Sequence, residues 1–449
     1  MEKLSVNFRQ ALVLLACCCL WAAPGFSQAA APDPAFQRVP FDQWLQEGAQ
    51  GPFHWSARVG RSVLSNQQRL RTRVEVTVDG SDLASRLGGG YLVMMVQFED
   101  ADHRIYQTHR GLDLQQLSKE AVKSEIVYTQ DVFVRPGDYR VGIAIFDSKT
   151  MEHGATVKTL HVSPPRNDAL PDAWLDLPAV EFVPAMDVPE SLYLPTSGAR
   201  LRLPVESRRP LHIELMMNAS PVRSQEGLHS GPANNRYLIE LLPALKVMSQ
   251  LRARNGGMRV SLFDLTRRQV VFEQTLLGRD RPGELSRPGE LRWMRLRRGL
   301  GAANPGSIDV RALANRAQNA QFFVEQIRER ILKPAEAEAE AEAESGKPLR
   351  IGIVLSGPMG FESGEDQSPI VFDQPSEYKL YVFRHHMLPP PQPVILRGRR
   401  VVPLSPRFQE PLDSLVSLIK PLRPRVFDIY NPAQFRKALA AMLDEISRL

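Results

Sequence analysis

The chain has 449 residues, of which 43% are hydrophobic and 24% charged, and its formal net charge is +6. This length exceeds one small domain and allows two or three domains, each with its own core. The composition is that of a globular protein, and it excludes a disordered chain or one made mainly of membrane spans.

The N-terminal segment, residues 1–29, has the three-part pattern of a secretory signal peptide: basic residues, the apolar run Ala11–Ala23, and small residues before cleavage after Ala29. We therefore expect an exported protein, periplasmic or secreted, with no membrane span after signal removal, because the run is too short to span comfortably. Lipidation at Cys17 is the alternative, although the residues after it are unusually apolar. All three cysteines lie in this segment, so the mature chain can form no disulfide or zinc–thiolate site.

The first half of the mature chain has the pattern of an all-β domain. Residues 30–68 show no steady period and predict a lead-in with little regular structure. Residues 69–163 contain short apolar runs bounded by Gly, Pro or Asp, which predicts an antiparallel, Ig-like β-sandwich. The predicted strands are Arg69–Val78, Tyr91–Phe98, Ile126–Val134, Tyr139–Phe146 and Thr156–Val162. Residues 164–209 are rich in proline and predict a linker with short strands at a domain boundary.

From Pro210 the pattern changes to strand, helix and strand, as in an open α/β sheet. The continuous apolar run Leu349–Leu355 is typical of a strand buried on both faces of a parallel sheet. The Ala-Glu run 335–344 predicts a solvated spacer, because its glutamates repeat at i, i+4 and repel. The other predicted strands are Leu211–Met217, Met258–Asp264, Gln269–Leu276, Tyr378–Phe383 and Arg425–Ile429, and the main helices begin near Leu238, Ser307 and Pro432.

An arginine-rich segment covers Gly278–Leu300 and contains only one aromatic residue, Trp293. Nucleic-acid binding would need more aromatic residues among the arginines, and it conflicts with export. The sequence therefore predicts no nucleic-acid partner, and it favours a solvated loop or a contact for an acidic partner surface.

In element order, Pro210–Leu449 resembles a von Willebrand factor type A (VWA) domain, which implies a doubly wound, mostly parallel, Rossmann-like sheet with one antiparallel edge strand. The preceding sandwich resembles the module that accompanies such domains in secreted, acidobacterial VWFA-related proteins, where it usually follows the domain. The local match to that module is Val134–Val141 together with Asp147. The resemblance implies that residues 210–449 form a VWA-like domain after the sandwich.

The family's metal-ion-dependent adhesion site has an Asp-x-Ser-x-Ser loop after the first strand, a Thr in a later loop and an Asp after the fourth strand. Here Asn218 stands at the first Asp, Ser220 matches, and Val222 replaces the second Ser. Ser307 stands for the Thr, and Ser356 precedes a loop without Asp. Because Mg²⁺ needs carboxylate oxygens, we expect a degenerate site that binds no metal and no other cofactor.

Enzyme signatures are weak. Ser356 and His385 suggest a hydrolase at the carboxyl edge of the sheet, but the G-x-S-x-G elbow is absent, and the adjacent His385 and His386 would point to opposite faces of a strand. We therefore expect no catalytic residues and a non-enzymatic interaction or scaffolding role, with a protein partner in the envelope or outside the cell. The alternatives are that hydrolase, or carbohydrate binding by the sandwich.

Overall fold

The computed structural model describes residues 33–48, 51, 53–184, 199–220, 237–253, 256–277, 290–302, 316–332, 348–359, 378–386, 393–395, 401–403 and 414–449. Several predictions fall outside these ranges: those on the signal peptide with Cys17, on Val222, on Ser307 and on the Ala-Glu run 335–344. Among the described residues, no helix is long and apolar enough to cross a bilayer.

The N-terminal part consists of two antiparallel sheets. Its strands are β1 (Trp55–Val59), β2 (Val63–Leu64), β3 (Leu70–Val78), β4 (Tyr91–Glu99), β5 (Ile105–Asp113), β6 (Ile126–Val134), β7 (Gly137–Asp147), β8 (His153–Val162) and β9 (Val180–Phe182). The first sheet has the order β1-β3-β6-β9 with β2 beside β3, and the second has the order β5-β4-β7-β8. Alternate residues of both sheets, such as Val74, Val76, Val96 and Ile143, are buried in one core between them.

The expectation of little regular structure in residues 30–68 is wrong. Helix α1 (Phe41–Glu47) packs Phe41 and Trp44 onto the outer face of the second sheet, and β1 pairs with β3 at an edge of the first. A seven-residue helix has too few turns to show a clear period, and β1 is only half buried. Strand β5 was not predicted, because this edge strand is exposed or half-buried along its whole length and its apolar residues do not alternate. A short helix, α2 (Gly80–Ala84), follows β3.

The C-terminal part is a mixed α/β unit. Its strands are β10 (Leu203–Val205), β11 (Leu211–Asn218), β12 (Leu251–Ala253), β13 (Gly256–Asp264), β14 (Gln269–Leu277), β15 (Leu349–Ser356), β16 (Tyr378–His385), β17 (Pro393–Ile395), β18 (Val401–Pro403) and β19 (Arg425–Ile429). Its helices are α3 (Leu238–Met248), α4 (Trp293–Ala302), α5 (Arg316–Leu332), α6 (Leu415–Ile419) and α7 (Pro432–Ser447).

The main sheet has six strands in the order β14-β13-β11-β15-β16-β19. All neighbours are parallel except the edge pair β13 and β14. Residues of α3, α4 and α7 share a core with one face of the sheet, and residues of α5 and α6 share a core with the other. The chain is thus a mixed α/β protein, in which antiparallel sheets precede a mainly parallel one.

Residues 164–209 were expected to form a linker with short strands. The short strands are present as β9 and β10, but the described part of the segment is packed rather than free. Trp174, Leu177, Leu201 and Leu203 are buried in a core that runs continuously from the two antiparallel sheets into the α/β unit. The proline content suggested a linker, whereas the apolar residues between the prolines determine the packing. This segment therefore joins the two parts through a shared core.

Four residues define a polar joint at this junction: Gln68, Asp168, Trp174 and Arg436. Trp174 Nε1 donates to the backbone oxygen of Gln68 at 2.7 Å, and the Arg436 guanidinium lies 4.3 Å from the Trp174 ring centroid. Arg436 also donates to both carboxylate oxygens of Asp168, at 2.5 and 2.9 Å. Because these residues come from the turn between β2 and β3, the joining segment and α7, the joint fixes the two parts against each other.

Candidate functional site

The candidate site lies at the carboxyl edge of the parallel sheet, where β11 and β15 end side by side. Met217 pairs with Leu355 in the sheet register, so the next residues, Asn218 and Ser356, are brought together. Open α/β sheets keep their ligand sites at this edge. The structure therefore places three predicted residues in one cluster, since Ser220 follows Asn218 by two positions.

Asn218 is the centre of the cluster. Its Oδ1 accepts hydrogen bonds from the Ser220 backbone N at 3.0 Å and from the Ser220 hydroxyl at 2.5 Å. Its Nδ2 donates to Ser356 Oγ at 3.0 Å and contacts Met359 Sδ at 3.2 Å. Ser356 Oγ in turn donates to the Gly357 oxygen at 2.7 Å. Asn218, Ser220 and Ser356 are 6%, 2% and 1% exposed, so this polar cluster is closed to solvent.

The cluster is tied to the β13–β14 hairpin. Ser220 Oγ accepts from the Leu265 backbone N at 2.7 Å. Beside it lies Asp264, a buried carboxylate at the end of β13 that the sequence reasoning missed. The position of Asp264 at the end of a predicted strand could have indicated that it lies at the edge of the sheet. Asp264 Oδ1 accepts from the Thr266 hydroxyl at 2.6 Å and from two backbone N–H groups of the turn, so it stabilises the hairpin.

These residues do not fit a magnesium ion. The donor group of Asn218, rather than an oxygen, faces Ser356, and its single side-chain oxygen already accepts two hydrogen bonds. Magnesium requires oxygen ligands in near-octahedral geometry and usually at least one available carboxylate. The carboxylate of Asp264 is engaged by its own turn. In the described part of the chain, no three His, Cys, Asp or Glu side chains are grouped as a metal site.

Removing the side chain of Asn218 tests the structural role of the cluster. We expect Asn218→Ala to lower the free energy of unfolding by about 1–3 kcal/mol, because Ser220 loses its buried acceptor and Ser356 its donor. Urea unfolding of the mature protein measures this change. Ser118→Ala, which removes an exposed hydroxyl that accepts from the Ala121 backbone N, is the control and should change it by less than about 0.5 kcal/mol. An equally small effect at Asn218 would contradict this account of the cluster.

The two adjacent histidines lie at the end of β16 in different surroundings. His385 is 4% exposed and packs its ring against Phe435 of α7, with ring centroids 5.4 Å apart. His386 directs Nε2 toward Asp428 Oδ1 at 2.8 Å and stacks on Tyr430. These contacts agree with the predicted opposite orientation of the pair, since the His385 ring contacts α7 and the His386 ring contacts Asp428.

Burial lowers the pKa of His385 to about 3. The unfolded chain binds a proton near the ordinary histidine pKa of about 6.5, whereas the folded chain keeps the ring neutral. The contribution of His385 to the free energy of unfolding should therefore be complete above about pH 6.5 and fall as the pH drops. We expect this residue to lower the free energy of unfolding by about 1 kcal/mol between about pH 6 and pH 5. Comparing urea unfolding of the wild type and His385→Phe across this range isolates the effect. Parallel pH profiles of the two proteins would contradict it.

The hydrolase alternative requires Ser356 and a histidine in one site. Ser356 follows Val354 on the face that packs against α5 and α6, whereas His385 follows Phe383 on the face that packs against α7. The two side chains thus lie on opposite faces of the sheet. A surface depression of about 260 Å³ contains neither residue, and it is lined by residues 169–173, β10 and the end of α7.

No family model and no curated protein matches the chain. Among solved structures, it is similar to a Bordetella pertussis protein described as ApaA, with 16% identity and a TM-score of 0.18, over 26% of this chain and 98% of that one. It is also similar to a family 123 glycoside hydrolase from Clostridium perfringens, with 8% identity and a TM-score of 0.22, over 68% of this chain and 67% of that one. Because both TM-scores are low, neither similarity indicates a family or an activity.

Proposed function

We propose that the chain is an exported, non-enzymatic protein-interaction or scaffolding protein. Its C-terminal part would be a VWA-like domain that binds its partner without a metal ion, and its N-terminal part an Ig-like sandwich. The strand order β14-β13-β11-β15-β16-β19, with only the edge strand antiparallel, supports the VWA-like assignment. Secretion is supported by the sequence pattern of residues 1–29.

The observation that carries the proposal is the closed hydrogen-bond cluster around Asn218. In a metal-bridged adhesion site, the first-strand loop supplies oxygen ligands to the ion. Here the same loop position holds an amide whose oxygen and nitrogen are both used within the protein. The edge of the sheet is therefore stabilised by its own polar groups, and partner binding would depend on the outer surface.

The hydrolase alternative has no comparable support. Ser356 is 1% exposed, and its hydroxyl donates to the Gly357 backbone oxygen rather than to a general base. A serine nucleophile needs a base within hydrogen-bond reach and access to substrate. The carbohydrate-binding alternative for the sandwich stays a prediction.

Affinity capture tests the proposed function. The tagged mature protein would be cross-linked in its native envelope and purified in the presence of either a chelator or magnesium. Each protein captured with it would then be purified, and its affinity for the mature protein measured in both conditions. We expect one partner to bind directly, with the same affinity in both conditions. Binding that needs a divalent cation would contradict the proposal.

Catalysis is tested separately with a panel of ester and glycoside substrates. We expect no turnover by the wild-type protein. Turnover that Ser356→Ala abolishes, and that Ser118→Ala at an exposed position retains, would establish the hydrolase alternative instead.

A further inference from the structure

Helix α4 lies against the antiparallel edge strand of the α/β sheet. Its Trp293 and Leu296 are buried in the core shared with Phe272 of β14. Gly299 allows a close approach, since a Cβ atom there would lie 2.4 Å from the backbone oxygen of Val271. The helix is thus seated by its apolar residues and its backbone, and its opposite side faces solvent.

The solvent side of α4 is basic. Arg292, just before the helix, and Arg295, Arg297 and Arg298 within it are exposed, and Met294 among them is 71% exposed. We refer to these five residues as the arginine face of α4.

The four arginines of this face form no ion pair with any residue that the structure describes. Exposed arginines elsewhere do form such pairs: Arg73 with Asp131 and Arg140 with Glu99. Positive charges three residues apart on a helix, such as Arg295 and Arg298, repel each other. Within the described residues, the arginine face is therefore a concentration of positive charge without ion pairs, and an anionic partner would relieve its repulsion.

We propose that the arginine face of α4 binds an acidic surface of a partner protein. This inference rests on the proposed function and specifies its partner. Guanidinium groups bind carboxylates through two parallel hydrogen bonds, and both Arg and Met are enriched in protein interfaces. A membrane surface fits less well, because the apolar side of α4 is already used against β14. Among the side chains of this helix that the structure describes, Met294 is the one exposed apolar group that could insert.

Binding of labelled poly-L-glutamate to the mature full-length protein tests the proposal. The reversal variant carries Arg295→Glu, Arg297→Glu and Arg298→Glu, and the control carries Arg61→Glu, Arg110→Glu and Arg166→Glu. The control residues are exposed and form no ion pair within the described chain, so both variants change the net charge equally. We expect the reversal variant to bind at least about tenfold more weakly than the control, with binding by the control falling as salt rises. Thermal unfolding checks that both fold, and Arg→Gln versions replace any variant that does not.

Equal binding by the reversal and control variants would overturn the proposal. It would do so without affecting the metal-independent role, which the envelope capture tests by itself. The proposal is also overturned if the reversal variant binds phosphatidylglycerol vesicles more weakly than the control does, but binds poly-L-glutamate equally well. Conversely, a partner captured from the envelope should lose affinity for the reversal variant and keep it for the control.

Discussion

Replacing Arg436 with alanine is expected to lower the free energy of unfolding by about 3–5 kcal/mol, because it leaves the buried Asp168 carboxylate without its counter-charge. The side chains of Arg436 and Asp168 are 3% and 9% exposed. Burial alone would raise the pKa of Asp168, but the hydrogen bonds from Arg436 and the Leu170 backbone outweigh it and lower the pKa. The ionised pair is thus the stable form at neutral pH.

The matched control for Arg436→Ala is Arg448→Ala, directly after the same helix. Arg448 pairs with Asp444, but both side chains are mostly exposed, so its loss should cost less than about 1 kcal/mol. Urea unfolding followed by circular dichroism measures both variants. Replacing both partners, as Arg436→Met with Asp168→Leu, should recover most of the lost stability, since no buried charge then remains. Equal effects of Arg436→Ala and Arg448→Ala would contradict the role of the joint.

The same depressed pKa gives the joint a pH dependence. Because the folded pKa of Asp168 lies below its unfolded value of about 3.9, its stabilisation is complete above that pH and is lost as the pH falls through the folded pKa. The wild type and Asp168→Asn should therefore converge in stability only in strong acid.

Replacing Trp174 with alanine is expected to cost about 3–5 kcal/mol as well, because it empties a buried space between the two parts of the chain. Trp174 is 5% exposed and lies beneath the Arg436 guanidinium. Trp174→Phe is the informative companion, since it retains a ring but loses the hydrogen bond to Gln68. That variant should cost less, about 1–2 kcal/mol plus a small packing loss.

Small-angle scattering would show whether the Trp174 and Arg436 variants also loosen the arrangement of the two parts. We expect a larger radius of gyration for Trp174→Ala than for the wild type under native conditions, because the joint is where the parts contact. Independent unfolding of the two parts in the wild type would contradict a shared core.

Periodicity in the sequence predicted much of the α/β unit. The buried side of α7 includes Phe435, Leu439, Met442 and Ile446, which recur at helical spacing after the predicted helix start near Pro432. Asn431 caps this helix by accepting from the Gln434 backbone N, as a residue before a first-turn proline often does. These features follow from local sequence, because burial on one side of a helix imposes a regular spacing.

Contacts between residues that are distant in the sequence could not be predicted from local periodicity. Asp168 and Arg436 are 268 positions apart, and nothing near either residue indicates the other. Asn218 and Ser356 were placed correctly at strand ends, but their direct hydrogen bond depends on β11 and β15 being neighbours. Asp264 was missed because the turn that engages it forms only when the hairpin folds.

The most direct test of the central claim, a carboxyl edge without a metal ion, is calorimetric titration of the chelator-treated mature protein with magnesium and with manganese. We predict no saturable heat for either ion, because the side-chain oxygens of the Asn218 cluster are engaged in hydrogen bonds within the protein and Asp264 is engaged by its turn. A single site tighter than about millimolar, the weak end of known cation sites, would contradict the claim, most clearly if Asn218→Ala abolished it.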